Sequence, residues 1–390
     1  MKKVLALVLA MMLALCAAGM AETIKIGVFE PASGDNGAGG KQEVLGIEYA
    51  RSLTPTVEID GVTYDIELDI VDNQSQTDKA VSAAQTLVND GVSIVLGSYG
   101  SGVSMAGGDV FAANQTPAIG CSCTNPSVTL LCDYYWRVCF LDPFQGTVMA
   151  NFAWEEKGAR KAYVLTQLGD DYSTGLGFYF QQAFTALGGE VVTGEFQEGN
   201  SEFASYLTTA INEGCDFFFA PSSTTSASLI IDQAASANVT FPLAAGDTWE
   251  SSVILDAAKG KNVEVYCSTF FDEKDESSTV AADFVTGFKA WLNENPDKKT
   301  NNGGNDIVAA VSALGFDAYN VAIEAIKSAG SADPQAVADA LPAITLDGVT
   351  GSISFDENGD ANKDMAYIKQ ANNETGEFDF IKTQSVADLG

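Results

Sequence analysis

The 390-residue chain carries 52 acidic against 20 basic side chains, a formal net charge of −32, and no histidine. Such a field repels nucleic acid and anionic membrane surfaces, and without histidine neither a Ser-His-Asp triad nor a Cys-His pair can be assembled. The acid excess suits the solubilising surface of an exported protein and does not by itself name a partner.

Lys2 and Lys3, the apolar run Val4 to Leu15 and the small-residue stretch Ala17-Ala18-Gly19-Met20-Ala21 form the three parts of a secretory signal, with cleavage expected after Ala21. A lipid anchor at Cys16 is the less favoured alternative, because Leu15 is a poor residue before such a cysteine. No later stretch approaches the roughly 18 consecutive apolar residues of a membrane span. Even without its leader the chain exceeds what one compact core usually holds, so two domains are expected.

In chain order, Ile24 to Phe29 reads as a buried strand, followed by a Gly-rich loop and a helix from about Gln42 to Leu53. Tyr64 to Val71 alternates apolar and acidic residues like a half-exposed strand. Thr77 to Asn89 reads as a helix with Thr77 as N-cap, Ala80, Ala84, Leu87 and Val88 on its buried face, and Gly91 ending it before the strand Val92 to Leu96. A second series follows Asp142-Pro143: helix Phe144 to Glu156, strand Ala162 to Thr166, helix Thr174 to Leu187, strand Glu190 to Phe196, helix Ser201 to Asn212, strand Phe217 to Ala220 and helix Thr225 to Ala237. Strands Leu243 to Ala245 and Val263 to Tyr266 come next, then helical stretches Thr279 to Asn293 and Asp306 to Ser328, a Gly348-Val349-Thr350-Gly351 turn and a strand Ser352 to Phe355. This alternation predicts the α/β class, with two doubly wound parallel-sheet lobes sharing several crossings and a ligand cleft between them.

The chemistry concentrates after two short strands. Ile94-Val95-Leu96 runs into Gly97-Ser98-Tyr99-Gly100-Ser101-Gly102, and Thr116-Pro117-Ala118-Ile119 into Cys121-Ser122-Cys123-Thr124-Asn125-Pro126. Such loops lie side by side at the carboxyl ends of parallel strands, where open α/β proteins hold ligands. Asp247, after Leu243 to Ala245, is placed either to receive a ligand ammonium or to cap a helix near Glu250 to Ala258, and Trp249 either walls a pocket or fills a core. Gly37-Ala38-Gly39-Gly40 fails as a dinucleotide fingerprint because the third glycine would fall at Gln42. A serine-lysine hydrolase would need a lysine that nothing in the sequence promotes. Beyond the leader the cysteines are Cys121, Cys123, Cys132, Cys139, Cys215 and Cys267; export permits disulfides, and Cys121 or Cys123 with Cys132 is the first expectation. The one-residue spacing of Cys121 and Cys123 is not that of a zinc pair, so no metal and no cofactor are expected.

Taken together, Ile24-Lys25-Ile26-Gly27-Val28, Ala32-Ser33-Gly34, Leu87-Val88-Asn89-Asp90-Gly91-Val92, Thr124-Asn125-Pro126, Asp142-Pro143-Phe144-Gln145-Gly146, Leu187-Gly188-Gly189-Glu190-Val191-Val192, Gly246-Asp247-Thr248-Trp249 and Asp347-Gly348-Val349-Thr350-Gly351 to Phe355-Asp356-Glu357-Asn358-Gly359-Asp360 are met in order along the chain beyond the leader. In that order and spacing the chain resembles the leucine/isoleucine/valine-binding proteins, substrate-binding components of branched-chain amino acid ABC transporters with the type I periplasmic binding fold. The resemblance implies that Ser101, the amides around it and Thr124 hold an amino acid's carboxylate, while the Ser122 carbonyl, the Thr124 hydroxyl and the Asp247 carboxylate hold its ammonium. Gly100 and Cys123 belong to the same loops, Tyr99 and Tyr172 match pocket-lining positions, and Trp249 lies beside them. Where the family usually has aromatic residues this chain has Gly39 and Ser223, which implies a roomier, more hydroxyl-rich pocket able to take a larger or more polar side chain than leucine.

The resemblance therefore implies a non-catalytic, exported, monomeric protein that closes two lobes on an amino acid, branched-chain or aliphatic first and a larger or more polar one next, and delivers it to ABC transporter permease subunits. The alternative on the same fold is a ligand-sensing regulator or receptor-type domain for amides or organic acids. The expected division assigns residues 1–21 to the signal, 22–141 with 271–362 to the N-terminal lobe, and 142–270 with 363–390 to the C-terminal lobe.

Overall fold

The computed structural model describes residues 22–275 and 278–385; the expected signal, its cleavage point after Ala21 and Cys16 lie outside the described residues. β1 (Glu22–Glu30) buries Ile24, Ile26, Val28 and Phe29, side chains from both of its faces, as a parallel strand covered by helices on each side must. With β2 (Thr56–Ile59), β3 (Val62–Asp72), β4 (Ile94–Leu96), β5 (Ala118–Gly120) and β6 (Tyr135–Arg137) it forms a six-stranded sheet in the order β2-β3-β1-β4-β5-β6. All neighbours are parallel except β2 on β3.

A second sheet is built from β7 (Lys161–Gln167), β8 (Glu190–Phe196), β9 (Phe217–Phe219), β10 (Leu243–Ala245) and β11 (Val265–Thr269). A separate antiparallel hairpin, β12 (Thr345–Gly348) and β13 (Gly351–Ser354), precedes β14 (Met365–Ala371) and β15 (Phe378–Ser385), which complete the order β15-β14-β11-β10-β9-β7-β8. Here β7 to β11 are parallel, and β14 and β15 are added antiparallel.

Both sheets reverse their winding at their first strand. β1 has β3 on one side and β4 on the other, and β7 has β8 on one side and β9 on the other. At such a switch point the two connections leave in opposite directions and open a crevice at the strands' carboxyl ends. The loops leaving β1, β4, β7 and β9 are therefore the ones geometry sets aside for a ligand.

Helices Gly37–Leu53 and Ala310–Ala329 pack on the first sheet and on each other. Their approach is closer than side chains allow: a Cβ on Gly46 would lie 1.9 Å from the Ser312 carbonyl oxygen, and one on Gly315 2.3 Å from that of Glu43. Tyr49, Phe284, Phe288, Trp291 and Phe316 close the outer side of this layer as one aromatic cluster. In the second sheet Phe180 of helix Asp171–Ala186 stacks on Phe219 at 4.1 Å between centroids. Two buried ionic networks hold the chain where it passes between the sheets. Arg137 pairs with Asp360, and its other nitrogens donate to the carbonyls of Cys123, Asn125 and Pro126 and to the Thr129 hydroxyl. Lys369 lies between Glu250 and Asp272, and Glu250 also accepts the Ala310 N–H. Among the described residues no helix is long and apolar enough to cross a membrane.

Several local expectations are corrected. The Gly-rich stretch Gly37 to Gly40 is the first turn of helix Gly37–Leu53 rather than a loop. Gln76, not Thr77, holds the N-cap position of helix Thr77–Asn89, with no side-chain cap bond. Phe144 to Glu156 divides into a helix Asp142–Asn151 and a π turn Phe152–Glu156. The strands β2, β6, β12, β14 and β15 were not foreseen. The six cysteines among the described residues are all free and buried, so the pairing of Cys121 or Cys123 with Cys132 does not form. Cys132 Sγ packs on Gly108 and donates to its carbonyl at 3.4 Å, whereas Cys123 Sγ turns under Gly120.

Candidate functional site

The loops singled out by the two switch points line one cavity of about 340 Å³. Asp35 and Asn36 come from the loop after β1, Tyr99 to Val103 from that after β4, Leu168 to Tyr172 from that after β7, and Ser223 from that after β9. Ser122, Asp247 and Thr248 join it from the loops after β5 and β10, Ser75 to Asp78 from the segment after β3, Gln167 from the end of β7 and Glu198 from the loop after β8. Its two sides are latched together: the hydroxyls of Thr224 and Thr225 donate to the Asp35 carbonyl at 3.0 and 3.2 Å, and the Asn125 amide donates to the Asp171 carbonyl at 2.8 Å.

Helix Ser101–Ala113 begins at the cavity wall with Gly100 as its N-cap residue and no side-chain cap. Its first-turn N–H groups at Ser101, Gly102 and Val103 have no earlier helical carbonyl to bond, and a helix N-terminus of this kind attracts an anion. Ser101 Oγ accepts the Asn125 N–H at 3.1 Å, tying the loop after β4 to that after β5.

Asp247 faces the same cavity and is 2 % exposed. Its Oδ1 accepts from Gln145 Nε2 at 3.0 Å and from the Tyr172 hydroxyl at 3.2 Å. The capping alternative fails, since helix Ser252–Ala258 is capped by Ser251, whose side chain accepts the Val253 N–H. Burial raises the Asp247 carboxyl to about 7, against the lowering pull of Gln145 and Tyr172. A cationic partner in the cavity would reverse that rise.

More buried acids stand behind the wall. Glu30 accepts the Tyr99 N–H at 2.7 Å, while Glu43 sits beside Glu30 and Ser122. Burial first, then Glu43, pushes Glu30 well up, and burial raises Glu43 to about 7. Glu30, Glu43 and Cys121 each bring one potential ligand atom within 4.8 Å of the others. Two facing carboxyl groups can share one proton, which satisfies them without an ion. Asp142 is raised by burial to about 8, with the Thr124 hydroxyl pulling the other way.

Of the residues picked from sequence, Tyr99, Gly100, Ser101, Ser122, Tyr172, Ser223 and Asp247 meet around the cavity. Four others do not line it. Gly39 lies under the Tyr99 ring, where a Cβ would come within 2.3 Å of Cε2, so Tyr99 fills the room left by the missing side chain. Trp249 is fully buried in the core of the second sheet and donates to Ser222 Oγ at 3.3 Å. Thr124 is fully buried beside Asp142, and Cys123 packs into the first sheet's core. Sequence reasoning missed Asp35 and Asn36 in the loop after β1, Gln167 at the end of β7, and Asp170 and Asp171 in the turn that follows it.

Residues 23–376 match the family model described as periplasmic binding protein. The Leu/Ile/Val-binding protein homolog 1 of Brucella melitensis is 27% identical over 357 residues, covering 86% of this chain and 87% of that protein. A leucine-binding protein from Thermotoga maritima superposes with a TM-score of 0.84 at 31% identity, covering 94% of this chain and all of that one. The solute-binding protein of an ABC transporter from R. palustris, in complex with benzoate, superposes with a TM-score of 0.78 at 20% identity over 93% of this chain and 96% of that one; at that identity it shows the shared fold alone.

Proposed function

The chain belongs to the periplasmic binding protein family, and from that premise we propose that it is an extracytoplasmic substrate-binding protein that captures an amino acid between two lobes and delivers it to an ABC transporter permease. One observation carries the reading: an uncapped helix N-terminus at Ser101 and the buried carboxyl of Asp247 face a single cavity. The first offers donors to an α-carboxylate and the second an acceptor to an α-ammonium, so the pair matches a zwitterion. Tyr99 and Tyr172 line the same cavity.

The relatives support the same reading, since the Brucella and Thermotoga proteins carry branched-chain amino acids in their names. The benzoate of the R. palustris protein is a poorer guide to this cavity, whose lining has no lysine or arginine to pair with an anion that brings no ammonium. Nothing in this account requires bond chemistry, and binding followed by release is its whole task. The lobes we assign are residues 22–141 with 271–362 and residues 142–270 with 363–390, so that closure brings Asp247 and Tyr172 against Ser101 and Ser122. The Thr224, Thr225 and Asn125 bonds across the cavity correspond to the closed form. Release would open them.

The test is a thermal-shift panel of the common amino acids, small amides and aromatic acids. A ligand at about 100 times its dissociation constant stabilises by about 2.7 kcal/mol. The proposal expects an α-amino acid to give the largest shift. Shifts from amides or aromatic acids alone would favour the sensor or organic-acid alternative and reject it.

A further inference from the structure

The side chains around the cavity are unsuited to an aliphatic ligand. Apart from the rings of Tyr99 and Tyr172, only Val103 and Leu168 offer apolar side chains, and Leu168 is itself 47% exposed. Six carboxylates line the space, from Asp35, Asp78, Asp170, Asp171, Glu198 and Asp247, and no lysine or arginine does. Two have local explanations, because Asp78 pairs with Lys79 and Asp170 caps helix Asp171–Ala186 through the Ser173 N–H. Among the described residues no salt bridge is made by Asp35, Asp171 or Glu198.

These charges come from both sides of the cleft. Asp35 follows β1, and Asp170 and Asp171 follow β7. Burial raises Asp170, the Ser173 and Tyr172 N–H groups pull it back, and the adjacent Asp171 and, from across the gap, Asp35 push it further up. Closing the cleft thus brings like charges together, which costs free energy unless a cation lies between them. Ser122, only 4 % exposed, lines the same space with its hydroxyl turned to the Glu43 carboxyl.

We propose that the ligand is a basic amino acid whose side-chain cation lies between Asp35 and the Asp170-Asp171 pair, while its α-ammonium is left to Asp247. The inference rests on the amino-acid reading above and sharpens its substrate class. The cation does more than fill a subsite, because it removes the repulsion that opposes closure and so couples side-chain recognition to the lobe motion.

The experiment is calorimetric titration of the full chain with lysine, norleucine and leucine at low and high salt. Lysine and norleucine share a four-carbon stem, so their comparison isolates the charge. Lysine is expected to bind at least about tenfold more tightly than norleucine, with the ratio shrinking as salt screens the carboxylates. Asp35→Asn, whose native side chain makes no salt bridge, is expected to narrow that ratio about five- to tenfold. Norleucine or leucine binding as tightly as lysine overturns the proposal and leaves the amino-acid reading standing. Binding of none of the three, nor of any other amino acid in the panel, removes that reading and this inference with it.

Discussion

Replacing Asp247 by asparagine keeps the shape of the side chain and removes its charge. Both protein bonds to the carboxyl fall on Oδ1, from Gln145 and Tyr172, and an asparagine oxygen can still accept them. The fold is therefore expected to survive, while a ligand ammonium loses a charge-assisted bond in a site shielded from water. Hydrogen bonds to charged groups contribute about 1.5–3 kcal/mol, so affinity should fall roughly 10- to 150-fold. The wild-type protein adds a second signature. With its carboxyl raised to about 7, protonation competes with ligand binding, and affinity should drop about tenfold per pH unit below that value. The ligand's ammonium stays charged over that range. Calorimetric titration with the best amino acid of the panel, at several pH values between 5 and 8.5, measures both effects. Equal affinity in Asp247→Asn, or a wild-type affinity flat across this range, would refute the ammonium contact.

Four further outcomes are expected. Arg137→Met leaves Asp360 buried without its partner and frees the carbonyls of Cys123 and Asn125, so denaturant unfolding should show a loss of about 3–5 kcal/mol. Gly46→Ala drives a Cβ into the Ser312 carbonyl and should cost about 1–3 kcal/mol by the same measurement, with no change expected if helices Gly37–Leu53 and Ala310–Ala329 do not touch there. The ligand-free protein should melt at a lower temperature at pH 8.5 than at pH 6. The carboxyls of Glu43, Asp142 and Asp247 are raised to about 7, 8 and 7, so the folded chain holds protons that the unfolded chain has already released, and their stability is lost as pH climbs through those values. A thiol reagent should leave the native protein essentially unlabelled and reach six sites beyond the leader after unfolding, because Cys121, Cys123, Cys132, Cys139, Cys215 and Cys267 are free and buried.

Long apolar runs and clear periodicity made much of the fold readable. β8 (Glu190–Phe196) and β10 (Leu243–Ala245) lie where the sequence puts them, and the other predicted strands shift at their ends by only a few residues. The missed strands carry weak local signals. β6 is only three residues long, and β15 is mostly exposed or half-buried along a sheet edge. β6 is fixed by parallel register against β5 across an intervening helix, whereas β15 is a hairpin partner of β14 whose signal is masked by its exposure. The glycines at 37, 39 and 40 read as a loop because glycine is a poor helix former, yet tertiary packing wins: side chains there would strike Ala32, Tyr99 and Pro31.

The site was half readable for a related reason. Ser101, Ser122 and Asp247 stand out as polar residues directly after apolar strands, and the structure brings them to one cavity. Asp35, Asp170 and Asp171 look in sequence like ordinary turn and capping residues. Asp170 is indeed a cap, and its second role emerges only when the loop after β7 is set opposite the loop after β1. Gly39 and Trp249 go the other way: the resemblance sets them at or beside the pocket, while packing puts Gly39 beneath Tyr99 and Trp249, by the second of its two readings, in the second sheet's core.

The most direct test is a crystal structure of the protein grown with the amino acid that shifts its melting temperature most. The account predicts that ligand in the cavity between the two sheets, its carboxylate on the N–H groups at Ser101 to Val103 and its ammonium on Asp247. A ligand bound elsewhere, or bound there with its carboxylate against Asp247, would contradict it.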